Sequence, residues 1–272
     1  LASFIVNKRL EDTKKNYQAI GGKSPLTAHT LNLVNKLNAK DSKRFYTYAM
    51  RYTPPFAYNV LEDIQKQGIQ SLILFSLYPQ FSSSTIHSSL LDAKAALENL
   101  AFTPILREIS YYHTHSGYID CIVRSVDEAL NGDRAEEFVL LLSAHSLPQA
   151  RIKEGDPYQQ HCEENLKALE SALHQKDIHF EKIDLVYQSK ATPVKWLSPS
   201  TKEGITKYKK HKMILFPLSF SLDNSETEFE LKILYANLAK SLGVPEYRVC
   251  SCFNDSEHFV DTIMNIIEEQ GE

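Results

Sequence analysis

Two hydrophobic periods alternate along this chain. Short runs that are apolar throughout, or apolar at every second position, are separated by longer stretches with apolar residues every third or fourth position. The first pattern predicts strands and the second amphipathic helices, because side chains alternate across a strand and recur by turns on a helix. Strands are predicted at "RFYTYAMRY" (44–52), "QSLILFSLY" (70–78), "TPILREISY" (103–111), "EFVLLLSAH" (137–145), "EKIDLVYQS" (181–189), "KMILFPLSF" (212–220) and "YRVCSCF" (247–253). Helical patterns fall at 56–66, 88–99, 116–130, 158–175 and 226–241. Strand and helix in alternation argue for an α/β fold with parallel sheets. Continuous apolar runs such as Phe138 to Leu142 fit strands covered by helices on both faces.

Seven strands in 272 residues suit two doubly wound halves better than one. The boundary is placed near residue 113, giving halves at 1–113 and 114–254. A last helix at 255–272 is expected to pack back on the first half. The chain begins at Leu1 rather than Met, and its first residues read as the end of a helix, so a fragment or processed chain is expected.

Composition narrows the function classes. A hydrophobic share of 43% and a charged share of 24% describe a soluble globular chain with ample core. A net charge of −4, with no basic stripe beyond "KYKKHK" (207–212), gives no case for nucleic acid. The longest apolar runs are strand-length, so nothing spans a bilayer and only a peripheral membrane contact stays open. Cys121, Cys162, Cys250 and Cys252 are read as reduced thiols of a cytoplasmic protein, because only the last pair is close and no other pair completes a metal site.

Open parallel sheets bind ligands beyond the carboxyl ends of their strands. Those ends carry Arg51 and Tyr52, Tyr78 with "PQFSSST", His145, "YQSK" (187–190) and "SLDNSETEFE" (221–230). A lone histidine at a strand end is more often a satisfied core group. Several reactive ends on one edge point to a site, because a core has no reason to collect them. The acidic segment has two readings. Ser225 with Glu228, and Asp223 with Glu226, have capping-box spacing; Glu226, Glu230 and Leu234 also share one helical face and could line a cleft. "YYHTHSG" contains an H-x-H (His113, His115) with no third ligand nearby, so it is not read as a metal site, and His161, His174, His179, His211 and His258 are read as solvated. No dinucleotide fingerprint, Walker loop or nucleophile elbow is present, and "IGGKSPL" reads as a turn.

Eight motifs taken in order resemble the ferrochelatase family: "YQAIGGKSPL" (17–26), "RYTPP" (51–55), "LYPQFSSST" (77–85), "SAHSLP" (143–148), "GDPY" (155–158), "YQSKATPVKWLSPST" (187–201), "DNSETEFEL" (223–231) and "CFNDSEHF" (252–259). The resemblance implies two Rossmann-like halves with parallel four-stranded sheets, the first strand of the N-terminal half missing here, and a porphyrin cleft between them. It implies insertion of ferrous iron into protoporphyrin IX to form protohaem. Coproporphyrin III or another tetrapyrrole is the alternative substrate, and a non-catalytic tetrapyrrole-binding fragment the alternative role. His145 and Glu226 match the residues regarded as catalytic, and Glu230 a second acidic position; these three are the expected metal-handling groups. Arg51, Tyr52, Tyr78, Ser84, Gln188, Ser189, Lys190 and Trp196 fall in segments that line the cleft. The sequence departs from the pattern at Leu234, where many members carry an acid, and at Asn224, where a histidine is common. Ser83 stands where members with an animal-type [2Fe-2S] cluster use a cysteine, and the cysteine-rich tail is absent, so no cluster and no permanently bound cofactor are expected.

Overall fold

The run Phe138–Leu142 becomes the core of a central strand. A computed structural model describes residues 2–189 and 193–270. Two helices open the chain, α1 (Ala2–Ala19) and α2 (Leu26–Lys40). The turn between them passes through Gly21 and Gly22, both at φ near +90°, a conformation that only glycine adopts cheaply. The first sheet then pairs β1 (Ser71–Phe75) with β2 (Ile105–Ile109) in parallel, in register from Ser71 opposite Ile105 to Phe75 opposite Ile109. Helices α3 (Ala57–Lys66) and α4 (Ser88–Asn99) cover it, and Leu61, Ile64, Leu72, Leu97 and Phe102 form its small core.

The segment 44–52 corrects the sequence reading, for it forms no strand. A strand needs a neighbouring edge, and among the described residues none pairs with it. Its backbone is held by a side chain instead: Tyr46 N–H donates to Asn38 Oδ1 at 2.8 Å, and Asn38 Nδ2 donates back to the Tyr46 carbonyl at 2.8 Å. The N-terminal sheet therefore has two strands among the described residues, fewer than the resemblance implied.

The second sheet has four parallel strands in the order β4-β3-β5-β6, namely β3 (Phe138–His145), β4 (Lys182–Gln188), β5 (Lys212–Phe216) and β6 (Tyr247–Val249). Strand β3 is buried on both faces. Phe138, Leu140, Leu142 and Ala144 join the main core, while Val139 and Leu141 join a second core beyond the sheet. The main core includes α5 (Ser116–Leu130) and α7 (Tyr158–Gln175), whose buried faces carry Tyr118, Ile122 and Val126, and Cys162, Leu169 and Leu173. Helix α5 starts where the His115 imidazole accepts the Gly117 N–H, and it ends at left-handed Asn131. On the other face, α8 (Thr201–Lys207) lies so close to β4 that a Cβ on Gly204 would meet Val186 Cγ1 at 2.7 Å. Glycine is needed there for close approach. The last helix, α10 (Glu257–Gln270), buries Phe259, Val260, Ile263, Ile266 and Ile267 in the main core. It also pairs with α2 through Lys36–Glu257 at 3.3 Å and Lys40–Asp261 at 2.5 Å. Exposed pairs of this kind add little, so the apolar face holds the helix. No helix among the described residues is long and apolar enough to cross a membrane.

Candidate functional site

In the second sheet the chain leaves β3 toward β4 on one side and reaches β5 on the other. This reversal opens a crevice at the carboxyl ends of β3 and β5, where ligands collect in such folds. His145 is the last residue of β3. After β5 the chain turns through residues 217–225 and enters a π-helix, Glu226–Leu234, continued by α9 (Tyr235–Ser241). The start of that helix meets His145: His145 Nδ1 and Glu226 Oε2 are 2.9 Å apart.

Neither capping box foreseen in this segment forms. Ser225 makes no side-chain cap, and Asn224 Oδ1 takes the Glu226 N–H at 2.8 Å instead. Thr227 Oγ1 donates to Asp223 Oδ1 at 2.8 Å, and Asp223 is held in turn by Asn254 Nδ2 at 2.8 Å. The carboxylate of Glu226 is thereby free for the cleft. Its π winding is of the kind that recurs at functional sites.

Ser189, just beyond β4, lies between two carboxylates. Its Oγ is 2.8 Å from Glu226 Oε2 and 2.7 Å from Glu230 Oε2. Its backbone is left-handed at φ 63°, an uncommon state for a residue with a Cβ. Gln188 is buried and bonded to Ser143 Oγ at 2.7 Å, and its amide reaches Glu226 Oε2 at 3.5 Å. Charge is unevenly shared here. Burial opposes charge on His145, but the Glu226 hydrogen bond and the Glu226 and Glu230 charges raise its pKa overall. Burial alone would raise Glu226, yet His145, with Ser189 and Gln188, brings it below the usual carboxylate range. Glu230 goes the other way: burial, with the neighbouring Glu226 charge, lifts it above that range.

Below this pair is a hollow of about 100 Å³, lined by Tyr78, Ser82, Thr85, His145, Tyr158 and Glu226, among others. Tyr78 lies in this lining beside His145 and Glu226. Ser84 does not line the hollow, and its hydroxyl pairs with Ser82 Oγ at 2.9 Å. Trp196 is half-buried, bridges Pro148 through its backbone, and lies outside the lining. Arg51 pairs with Asp92 at 3.3 Å and Tyr52 is 78% exposed, so neither belongs to this group. Lys190 lies outside the described residues. Ser219 went unnoticed in the sequence: its Oγ accepts the His145 N–H at 2.9 Å and is 2.5 Å from the Tyr158 hydroxyl. Its position beyond an apolar strand, like that of His145, was the available signal.

A second constellation corrects the reading of the other histidines. His113 is buried and stacks on His161 of α7, with ring centroids 4.0 Å apart and planes 15° apart. Glu164 completes a set whose candidate ligand atoms all lie within 4.8 Å of one another. His161 is not simply solvated, since burial, with His113 beside it, pushes its pKa down to about 4. Hydrogen bonds already engage most of the set. His113 Nε2 is 2.8 Å from Glu164 Oε2, Gln160 donates to Glu164 Oε1 at 2.8 Å, and the Phe81 N–H donates to His161 Nδ1 at 3.2 Å. The buried His113 Nδ1 has no hydrogen-bond partner among the described residues. A ligated ion lies in the plane of each imidazole, so two nearly parallel rings cannot both direct lone pairs at one ion. This group is a hydrogen-bonded stack joining the loop before α5 to α7.

Two parallel sheets with chemistry at their strand ends define an α/β fold of the chelatase type. SirB from Bacillus subtilis, determined with Fe3+, shares it with a TM-score of 0.68 at 10% identity, covering 89% of this chain and 88% of that one. CbiX, described as the terminal enzyme of sirohaem biosynthesis in denitrifying bacteria, matches with a TM-score of 0.54 at 13% identity over 89% of each chain. The family follows from sequence. The ferrochelatase family model matches residues 1–271. Ferrochelatase of Helicobacter hepaticus is 72% identical over 99% of this chain and 86% of its own length, and that of Wolinella succinogenes 47% over 100% and 86%. The chain belongs to the ferrochelatase family and is an enzyme, a metal chelatase.

Proposed function

We propose that this chain inserts ferrous iron into protoporphyrin IX, the step that forms protohaem, with His145 and Glu226 as its catalytic pair and no resident cofactor. Family membership supports iron insertion into a porphyrin. The observation that carries the site assignment is the 2.9 Å contact between His145 Nδ1 and Glu226 Oε2 at the strand-order reversal. A free porphyrin holds two pyrrole N–H protons that must leave as the metal enters. With Nδ1–H donated to Glu226, Nε2 of His145 is the basic atom of the ring. The adjoining carboxylate makes that atom a stronger base and stabilises the imidazolium once formed. Carboxylates also suit a borderline cation in transit, which assigns Glu226 and Glu230 to the path of the ferrous substrate. A hollow of about 100 Å³ is too small to enclose a macrocycle, so the ring lies across its mouth, over the pair.

The enzyme works in the cytoplasm in this reading. Exposed Tyr52, Phe56 and Tyr58 suit a peripheral contact with a membrane that carries an apolar substrate or product. Anaerobic insertion assays with ferrous iron and each of protoporphyrin and coproporphyrin test the proposal. Turnover of protoporphyrin at the higher kcat/KM supports it, and preference for coproporphyrin reassigns the substrate. No turnover of either ring overturns it.

A further inference from the structure

Within a sheet, alternate N–H groups of a central strand turn to opposite neighbours. At the end of β3 the Ser146 N–H donates to the Gln188 carbonyl of β4 at 2.8 Å, so the His145 N–H faces the β5 side. Among the described residues, the last backbone bond on that side is Leu218 N–H to the Ser143 carbonyl, at 3.0 Å. Beyond it, the carbonyls that a longer strand would offer are already used. That of Pro217 accepts the Phe220 N–H at 3.2 Å, and that of Leu218 accepts Gln80 Nε2 at 3.0 Å. A side chain fills the next rung instead: Ser219 Oγ accepts the His145 N–H at 2.9 Å.

We infer that Ser219 is a positioning residue for the catalytic pair, setting where the imidazole of His145 stands relative to Glu226. The inference rests on the His145–Glu226 reading above and adds what holds that pair in register. Ser219 belongs to the loop 217–225 that leads from β5 to Glu226. One side chain therefore ties the strand end that carries the base to the loop that delivers the carboxylate. The pair depends on that tie. Its contact is 2.9 Å, and a shift of about 0.7 Å takes it to ~3.6 Å, where it is no longer a hydrogen bond.

The serine is itself held from two sides. Its Oγ is 2.5 Å from the Tyr158 hydroxyl, and both side chains are buried. A hydroxyl donates once and accepts twice, so whichever of the two donates, Ser219 keeps a lone pair for the His145 N–H. The phenol selects the staggered rotamer that faces His145. Tyr158 opens α7, and Asp156 Oδ1 accepts its N–H at 3.0 Å. Gln80, in the segment after β1, holds the Leu218 carbonyl beside the serine and donates to Asn165 Oδ1 of α7 at 2.9 Å. The pairing with β4 continues to His145 opposite Gln188. Loss of the Ser219 bond therefore frees the strand end on its β5 side and leaves the sheet intact.

Ser219→Ala removes one atom, and two readouts that general packing does not move test the inference. In 1H–15N spectra of protein labelled at its ten histidines, the His145 amide is assigned by its absence from His145→Ala. In Ser219→Ala that amide proton should move upfield and exchange ~10-fold faster or more, with the other histidine amides unchanged. Single-turnover insertion per folded enzyme should fall ~10-fold, with porphyrin Kd within about twofold. Tyr158→Phe leaves the Ser219 oxygen in place but unaimed, so its rate should fall less, ~2- to 5-fold. An unmoved His145 amide, or a wild-type rate in Ser219→Ala, overturns the inference. So does a Kd that rises in step with the lost rate, or a Tyr158→Phe enzyme slower than Ser219→Ala. His145→Ala separates the two layers: full activity there refutes the catalytic pair itself, whereas inactivity there with an unaffected Ser219→Ala refutes only the positioning.

Discussion

Asp156 lies in the "GDPY" motif, and the structure shows what it holds. Its Oδ2 accepts from Ser83 Oγ at 2.7 Å, Ser83 N at 2.8 Å and Ser82 Oγ at 3.0 Å, while Oδ1 accepts the Tyr158 N–H at 3.0 Å. The carboxylate thus ties the segment after β1, which brings Ser82 and Thr85 to the hollow, to the start of α7. Asp156→Ala leaves these donors without an acceptor. A hydrogen bond to a charged group contributes about 1.5–3 kcal/mol, and three donors sharing one oxygen are not additive. Counting the cluster as about two such bonds, the loss is ~3 kcal/mol, or about 6 °C in Tm at roughly 2 °C per kcal/mol for a chain of this size. Asp156→Asn keeps an amide oxygen and should lose about half. The pH dependence has a defined sign. Burial opposes the charge, but the Ser83, Tyr158 and Ser82 donors hold the carboxyl below its ordinary range. A group depressed on folding stabilises above its unfolded pKa, about 3.9, and that stabilisation is lost as pH falls through the folded value. The Tm gap between wild type and Asp156→Ala should be constant from about pH 5 to 8 and close in strong acid. Insertion assays should show a higher KM for porphyrin with kcat little changed, because His145 and Glu226 are untouched. A Tm within about 1 °C of wild type at pH 7, or a gap that widens as the pH falls through the acid range, would refute this account of the motif.

Three further outcomes are expected. His145→Ala should lose ~100-fold or more of the insertion rate while porphyrin affinity, followed by fluorescence titration, stays within a few-fold; a loss of affinity matching the loss of rate would reduce His145 to a ring contact. Glu226→Gln removes the charge that raises the His145 pKa, so the imidazole should titrate at lower pH than in the wild type, as read by NMR of the histidine ring; an unmoved or higher value contradicts the pairing. All four cysteines are buried, with Cys250 pushed up to about 12 and the other three also raised by burial, so the native protein should react with thiol reagents only on unfolding. Rapid labelling of the folded enzyme would contradict that packing.

Local pattern was enough for much of this architecture. Six of the seven predicted strands form, because an apolar run such as Phe138–Leu142 has nowhere to go but between two layers of helix. The seventh, at 44–52, has the right alternation and no edge to meet. Alternation states which face a strand would bury, never whether a partner exists. His145 was legible because an ionisable ring ends an apolar strand, where parallel sheets place their ligands. Glu226 was not decided at that level, since its spacing served a helix cap as well as a cleft. The choice was made by Asn224, which takes over the capping bond, and by His145 and Ser189, which reach the carboxylate from the ends of β3 and β4. The same reason explains Ser219 beneath the His145 backbone and the stack of His113 on His161. These pairs lie 74 and 48 residues apart in the chain, and no periodicity within one element carries information about a contact between two. Hydrophobic pattern determined which segments fold into layers; the chemistry came from strand order, which brought the ends of β3, β4 and β5 to one edge.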